Sequence, residues 1–521
     1  MLARNARVNW NPPSIGEGRF GEWLINNIDW AISRDRYWGT PLPVWVCAEN
    51  DTHVDVVGSF AELAERVGGR LHDEFDPHKP HVDGYTWKCT REGCTGHMQR
   101  VPEVIDTWFD SGSMPFAQWH YPFENRERFA AQYPADFIAE GVDQTRGWFY
   151  SLLAIATGLD LDKFGPRGTG EKARGESAAD ARETGPYRAV VVNDQVLDAE
   201  GLKMSKSRGN IVDPWVVIER HGVDAVRLFF VASSNVWVPR RFDERVIREQ
   251  AGRFLLTFKN IYSGIFAEYA NFGWTASELD PSVEQRPPLD RWVLGRLATV
   301  ERTVDEALDR YQATDAARAI ISFVDDDLSN WYVRLSRSRF YDVDTDDNRA
   351  AFATLHEVLV SVCRLLAPIS PFVSDWIHRQ LVGTSVHLAP FIGDRSALSV
   401  TDAGLQTAMS ATRTLARLGR AAREEAGIKV RQPLSRLVCV APNIDDTQLE
   451  PLIPLLKAEL NVKQIEFAST ADALVTLEAK PNFRSLGKKF GKKTPLAAEA
   501  IKAFSGEQLR LFLRGEPLVV T

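Results

Sequence analysis

The chain reads as an α/β domain built on a parallel sheet, followed by an all-α region and a small α/β C-terminal region. Three observations predict this. Apolar or β-branched runs at Asp136–Ala139 and Ala189–Leu197 each end in a polar, glycine-containing stretch that leads into an amphipathic run. That is the strand–loop–helix order of a parallel sheet. From about residue 241 to 400 helical periodicity dominates. After residue 401 a helical run passes through Lys429–Ser435 into a further strand at Leu437–Val440.

Composition bounds the possibilities. With 521 residues, 44% hydrophobic and 25% charged, the chain has room for several packed domains of ordinary soluble type. No uninterrupted apolar run is long enough to span a bilayer, and the first residues lack the apolar core of a secretory signal, so no membrane partner and a cytoplasmic compartment are expected. Five cysteines in such a length do not make a disulfide framework. A net charge of −8 argues against a protein that coats nucleic acid non-specifically, but local basic faces decide specific RNA binding.

Residues 1–45 are rich in Trp, Asn, Pro and Arg, and Pro41 and Pro43 favour an extended path on the rim of a sheet. Residues 46–104 form a small insert with degenerate cysteine knuckles. Cys47 and the pair Cys89 and Cys94 bracket a helical pattern at Phe60–Glu65. Thiols so arranged suit a structural zinc site. Only three are present. His53 or His97 could supply a fourth ligand, and a metal-free knuckle is the alternative.

Val104-Ile105 is a short apolar strand expected to end in a polar turn through Asp106–Phe116, as where a parallel strand meets a ligand at its carboxyl end. The strand at Asp136–Ala139 ends in Glu140-Gly141, and Asp143 and Gln144 open a helix. Glu140 lies where a carboxylate can receive an ammonium ion or a ribose hydroxyl; Asp143 also fits a plain helix cap. Residues 164–186, without apolar periodicity, read as a surface loop. Gly201–Asn210 follows a buried strand and carries Lys203, Ser205, Lys206, Ser207 and Arg208 between glycines, a composition that can wrap phosphates. Pro214–His221 is a helix stopped by Gly222, and a second spans Asp224–Ala232.

In the helical region Arg334, Arg337 and Arg339 flank aromatics on one helix. They read as a phosphate-contacting face, or else as a solvated surface paired with Asp325, Asp326 and Asp327. Arg413, Arg417, Arg420 and Arg423 fall on one face of a later helix, and Lys480–Lys493 alternates basic residues with glycine and aromatics. Both suit RNA backbone contact.

Lys203-Met204-Ser205-Lys206-Ser207 followed by Gly209-Asn210-x-Val212-Asp213-Pro214 resembles the signature loop of class I aminoacyl-tRNA synthetases. Arg36-Tyr37-Trp38-Gly39-x-Pro41-Leu42-Pro43 is closer to the isoleucine enzymes than to their valine relatives. The resemblance to isoleucyl-tRNA synthetases covers nearly the whole chain. It implies ATP-dependent activation of L-isoleucine to isoleucyl-adenylate and transfer to tRNA(Ile), with Mg2+ as counter-ion to ATP and zinc an open question. Residues 1–45 would close a connective region and return to the catalytic sheet, and 105–240 would be the second half of a Rossmann-like catalytic domain. Residues 241–400 would be the anticodon-binding domain and 401–521 a C-terminal α/β junction region. Lys206 would contact the triphosphate, with Lys203 and Ser205 shaping the loop. Glu140, Asp143 and Gln144 would hold the adenylate, and Trp108 and Trp148 would wall the isoleucine pocket. None of the ten histidines stands in the family's His-x-Gly-His pattern. The resemblance therefore implies an incomplete enzyme, inactive alone and partnered by a missing N-terminal half. A non-catalytic tRNA-binding module is the alternative.

Overall fold

The computed structural model describes residues 1–159, 185–270, 273–342, 345–393, 402–440, 446–468, 477–513 and 515–518. Most of the loop expected at 164–186 lies outside the described residues. The chain forms two compact units. The first comprises Met1–Leu255, Thr303–Ala319 and Pro368–Phe372; the second comprises Leu256–Arg302, Ile320–Ala367 and Val373–Thr521.

In the first unit β1 (Asn9–Asn11) precedes the insert, whose strands β2 (Val44–Cys47), β3 (Asn50–Val56), β4 (Trp87–Lys88) and β5 (His97–Arg100) make a sheet ordered β3-β2-β5-β4. Helix α1 (Thr107–Ala117), strand β6 (Ala135–Gly141), helix α2 (Trp148–Gly158) and strand β7 (Tyr187–Asn193) follow. β7 lies between β1 and β6 and pairs in parallel with both, with Asn11 against Val191 and Gly141 against Asn193. All three strands therefore end on one edge, the carboxyl edge where ligands meet parallel sheets.

The sheet is held by a cluster of Val8, Trp10, Phe20, Phe149, Leu152, Leu153, Tyr187 and Val190. Tyr187 is fully buried and satisfies its hydroxyl by donating to the Phe149 carbonyl at 3.0 Å. α1 and α2 pack closely because Gly112 has no side chain: a Cβ there would lie 2.9 Å from the Ser151 carbonyl carbon and oxygen. Beyond β7, helices α3 (Pro214–His221) and α4 (Val223–Ala232) form as expected, the first capped by the Asp213 carboxylate accepting from Trp215 N–H at 2.9 Å.

Four local expectations change. Val104–Ile105 is not a strand of the parallel sheet; it pairs antiparallel with Ser33–Arg34. The segment after it is helix α1 rather than a turn, because Asp106 Oδ1 caps it by accepting from Trp108 N–H at 3.2 Å. The run Ala189–Leu197 breaks after Asn193, and Val196–Leu197 pairs instead with Arg240–Arg241. Asp143 and Gln144 sit in a 3-10 turn, Val142–Arg146, ahead of α2; Gln144, not Asp143, caps that helix by accepting from Trp148 N–H at 3.0 Å.

The second unit is largely helical. α5 (Pro288–Asp309) lies mostly within it, and a π-helical stretch, Phe323–Val333, runs into α6 (Arg334–Tyr341). α7 (Asp346–Leu366) and α8 (Ala403–Glu425) follow, then β8 (Leu434–Val440), α9 (Ile453–Leu460) and β9 (Val462–Ala468). β8 and β9 pair in parallel. Among the described residues no helix is long and apolar enough to cross a membrane.

Candidate nucleotide-binding edge and metal cluster

The lysine loop leaves the sheet after β7 and is tied at both ends by one carboxylate. Asp198 accepts from Leu202 N–H at 2.7 Å and from the Asn210 side-chain amide at 2.7 Å. Asn210 in turn accepts from Ser205 N–H at 2.9 Å. Gly209, at φ +67°, makes the left-handed turn that brings Asn210 back to this clasp. Within the clasp Lys206–Arg208 form a single 3-10 turn, and Lys203 and Lys206 are exposed. Neither lysine has an ion-pair partner among the described residues. Two ammonium groups held on a pinned loop, with no carboxylate to satisfy them, form a surface for a polyanion.

Asp198, and the part Asn210 plays in closing the loop, were not read from the sequence. Their signal was Asx chemistry flanking a glycine-bracketed loop. The Asn210 amide, and next the Leu202 N–H, hold the Asp198 carboxyl below its ordinary value. A carboxyl lowered on folding stabilises the clasp above the unfolded pKa of about 3.9, and that contribution is lost as pH falls through the lower folded value. Amide-exchange protection at Leu202 and Ser205 is expected to fall across that acid window. In Asn210→Ala the Ser205 amide is unprotected at neutral pH; equal protection in that variant contradicts the clasp.

At the tips of the strands, Glu140 is exposed beside Gly141. Asp143 Oδ2 accepts from the Gln144 amide at 3.0 Å, while Gln144 Oε1 caps α2, so each group of the Gln144 amide is used. A Cβ on Gly147 would lie 3.1 Å from the Trp108 ring, and Trp148 Nε1 donates to the Ser111 carbonyl at 3.1 Å. Trp108, Gln144 and Trp148 are thus neighbours around Gly147, with Trp108 left 43% exposed and able to form a wall. Nearby, Asp106 accepts from Trp30 Nε1 at 2.9 Å and pairs with Arg34. Burial raises the Asp110 carboxyl above its ordinary value, against the Thr40 hydroxyl it accepts at 3.1 Å.

The insert brings its three thiols together. Cys47 Sγ lies 3.5 Å from Cys94 Sγ, and Cys89 Sγ lies 3.4 Å from His53 Nδ1. One ligand atom from each of Cys47, His53, Cys89 and Cys94 falls within 4.8 Å of every other. A tetrahedral zinc ion with Zn–S bonds of ~2.3 Å separates its ligands by about 3.5–3.8 Å, so the donor set fits. The position left open between two histidines is taken by His53; His97 lies outside this group. The Glu49 backbone N–H holds the Cys47 thiol below its ordinary value, whereas Cys94, against the Gly96 backbone N–H, is pushed up to about 11 by its neighbour Cys47 and by burial.

The expected arginine faces fare differently. Arg339 is spent on a buried pair, donating twice to Asp290 at 2.7 Å, and it also reaches Asp347. Arg423 is buried and donates to the carbonyls of Lys429, Gln432 and Leu460. Arg334 pairs with Glu459 at 2.8 Å rather than with Asp325, Asp326 or Asp327. Arg337 donates to the Tyr341 hydroxyl. Of both sets, Arg417 stays exposed with no partner among the described residues.

Residues 1–239 match the family described as tRNA synthetases class I (I, L, M and V), and residues 290–438 match the anticodon-binding domain of tRNA ligase. The chain therefore carries a class I tRNA synthetase domain and an anticodon-binding domain. Its curated relatives include isoleucine–tRNA ligases. It is 43% identical over 99% of its length to that of Streptomyces coelicolor, covering 47% of that protein. It is 41% identical over 100% of its length to that of Thermus thermophilus, covering 49%. The chain therefore spans about half the length of the curated relatives it matches. The fold agrees with a LeuRS of Agrobacterium radiobacter K84 solved in ternary complex with tRNA and LeuAMS. That match has a TM-score of 0.52 and 21% identity, over 71% of this chain and 43% of the other.

Proposed function

We propose that this chain is the loop-bearing portion of an isoleucine–tRNA ligase, condensing L-isoleucine with ATP and passing the acyl group to tRNA(Ile). The observation that carries the reading is the clasped loop, which offers Lys203 and Lys206, without ion-pair partners among the described residues, on the edge where the sheet presents Glu140. In the first step the amino-acid carboxylate attacks the α-phosphorus of ATP and pyrophosphate leaves. Lys206 stabilises the charge that develops on pyrophosphate, with Mg2+ as counter-ion, and Lys203 and Ser205 shape the loop around it. Glu140 and Asp143 hold the ammonium and ribose groups of isoleucyl-adenylate, and Gln144 orients Asp143. Trp108 and Trp148 wall the apolar side chain. No general base is required, because the attacking carboxylate is already ionised.

The test is isoleucine-dependent exchange of pyrophosphate into ATP. The chain alone is expected to give none, and a chain joined to or mixed with the polypeptide bearing His-x-Gly-His is expected to give exchange. Robust exchange by the chain alone contradicts the reading that half of the ATP site lies outside it.

The thiol cluster is proposed as a structural zinc site of Cys47, His53, Cys89 and Cys94. All four ligands come from the protein, as in a closed structural site, so the metal's part is to hold β2, β3 and the Cys89–Cys94 turn together. Chelation is expected to release about one zinc per chain and to raise protease sensitivity within 46–104. His53→Ala should lower the zinc content and His97→Ala should not; the reverse order refutes the assignment.

A further inference from the structure

Activation chemistry leaves one apolar groove in the second unit without a role. It encloses about 950 Å³ among α10 (Phe483–Phe490), α11 (Thr494–Lys502) and α12 (Gly506–Leu513). These helices spend little apolar surface on one another. Leu486 of α10 and Ala498 of α11 are buried, whereas α12 buries no residue. Leu496, Phe512 and Leu513, which line the groove, are 67%, 59% and 73% exposed. Isolated exposed leucines are ordinary on a surface, but leucine and phenylalanine gathered in one concave patch mark a site of contact.

The rim is basic. Apart from Glu478, the polar residues lining the groove are Lys480, Lys489 and Lys493. All three are exposed and have no ion-pair partner among the described residues. Their surroundings share the sign: residues 477–518 carry nine Lys or Arg against four Glu, in a chain whose net charge is −8.

Floor and rim together select the occupant. RNA would satisfy the lysines, but it would leave the aliphatic floor uncovered and find no side-chain amide or hydroxyl there to read a base. A bilayer surface suits a helix face that lies in its plane, not a concave floor. A second copy of this chain would bring the same lysines, and a two-fold contact would set like charges together.

We propose that the groove docks an acidic amphipathic helix of another polypeptide. Leucine-type side chains at i, i+3 or i+4, and i+7 fill the floor beside Leu496, Phe512 and Leu513, and flanking Asp or Glu meet Lys480, Lys489 and Lys493. This is the helix-in-groove mode of recognition, in which apolar anchors supply affinity and rim charges supply orientation and choice of partner. The inference is independent of the ATP reading.

The test uses the full chain and a fluorescein-labelled designed peptide of about 16 residues, with leucine at helical spacing and glutamate flanking it. Anisotropy should show it binding at least about 10-fold tighter than the same peptide with lysine for glutamate, and than a scrambled peptide without an apolar face. Leu496→Asp should weaken binding at least about 10-fold and, because that side chain is exposed, melt with the native chain. Leu388→Asp, the same change at an exposed leucine of this unit outside the groove, should leave binding within about twofold. Lys489→Glu combined with Lys493→Glu should reverse the preference toward the lysine peptide. Equal binding of the glutamate and lysine peptides by the native chain, or native affinity in Leu496→Asp, overturns the proposal. So does a native chain that ignores the glutamate peptide but binds phosphatidylserine vesicles, tRNA or a second copy in a manner that Leu496→Asp abolishes.

Discussion

Lys206→Ala is expected to lower isoleucine-dependent pyrophosphate exchange in the complemented enzyme by about 100–1,000-fold, the range seen when one preorganised charge donor is removed from a transition state. The structure separates this effect from stability. Lys206 is exposed and has no ion-pair partner among the described residues, so its loss leaves no buried group unsatisfied. The loop is held by Asp198 and Asn210, not by the lysines. The variant should therefore melt with the native chain while its rate collapses, with kcat falling more than KM rises because pyrophosphate charge develops only along the reaction. Lys203→Ala should cost less, since the role proposed for that lysine is to shape the loop rather than to meet the leaving group. A Lys206→Ala enzyme with native exchange rates removes the loop from the chemistry.

Asp290→Ala is expected to destabilise the second unit by about 3–5 kcal/mol, the cost of stranding one member of a buried ion pair. Asp290 is fully buried and accepts both Arg339 nitrogens at 2.7 Å and the Tyr332 hydroxyl at 2.9 Å. Tyr332 is itself fully buried, and burial raises its hydroxyl well above the ordinary value, so it stays a neutral donor. Removing the acid leaves a guanidinium that is only 13% exposed without its strongest partner and leaves Tyr332 with the longer bond to the Ala351 carbonyl at 3.3 Å. Urea unfolding followed by tryptophan fluorescence measures the loss. A change under about 1 kcal/mol would mean the pair is surface-like in energy.

These two residues also mark what the sequence could and could not reveal. Lys206 stands in a string whose composition suits a phosphate loop, and the strand before it is β-branched, so its place after the sheet was legible. The clasp was not, because Asp198 and Asn210 look like ordinary loop residues until the chain returns on itself through Gly209. The arginines of α6 and α8 were legible as basic helix faces but not as to partner. Arg334 and Arg420 meet at Glu459, more than a hundred residues from Arg334, and one sequence carries no sign of that pairing. Asp290 likewise lies 49 residues from Arg339. Helical spacing gives direction around an axis, whereas the partner depends on which helices the core brings together.

The thiol cluster shows the opposite case. Spacing alone placed Cys47, Cys89 and Cys94 together, and it left His53 and His97 open. The antiparallel turn from β2 to β3 carries His53 back over Cys47, while His97 begins β5, where strand pairing holds it against Lys88. The helix at Thr107–Ala117 was misjudged because the residues after Asp106 are polar and glycine-containing. The Asp106 cap overrides that composition.

We propose that this chain carries the leaving-group side of an isoleucine-activating site, and that the other side lies on a polypeptide with the His-x-Gly-His pattern. Charging of tRNA(Ile) with labelled isoleucine tests it most directly. Isoleucyl-tRNA is expected to accumulate when both polypeptides are present, and with neither alone. Charging by the partner without this chain, or by the pair with leucine in preference to isoleucine, would contradict it.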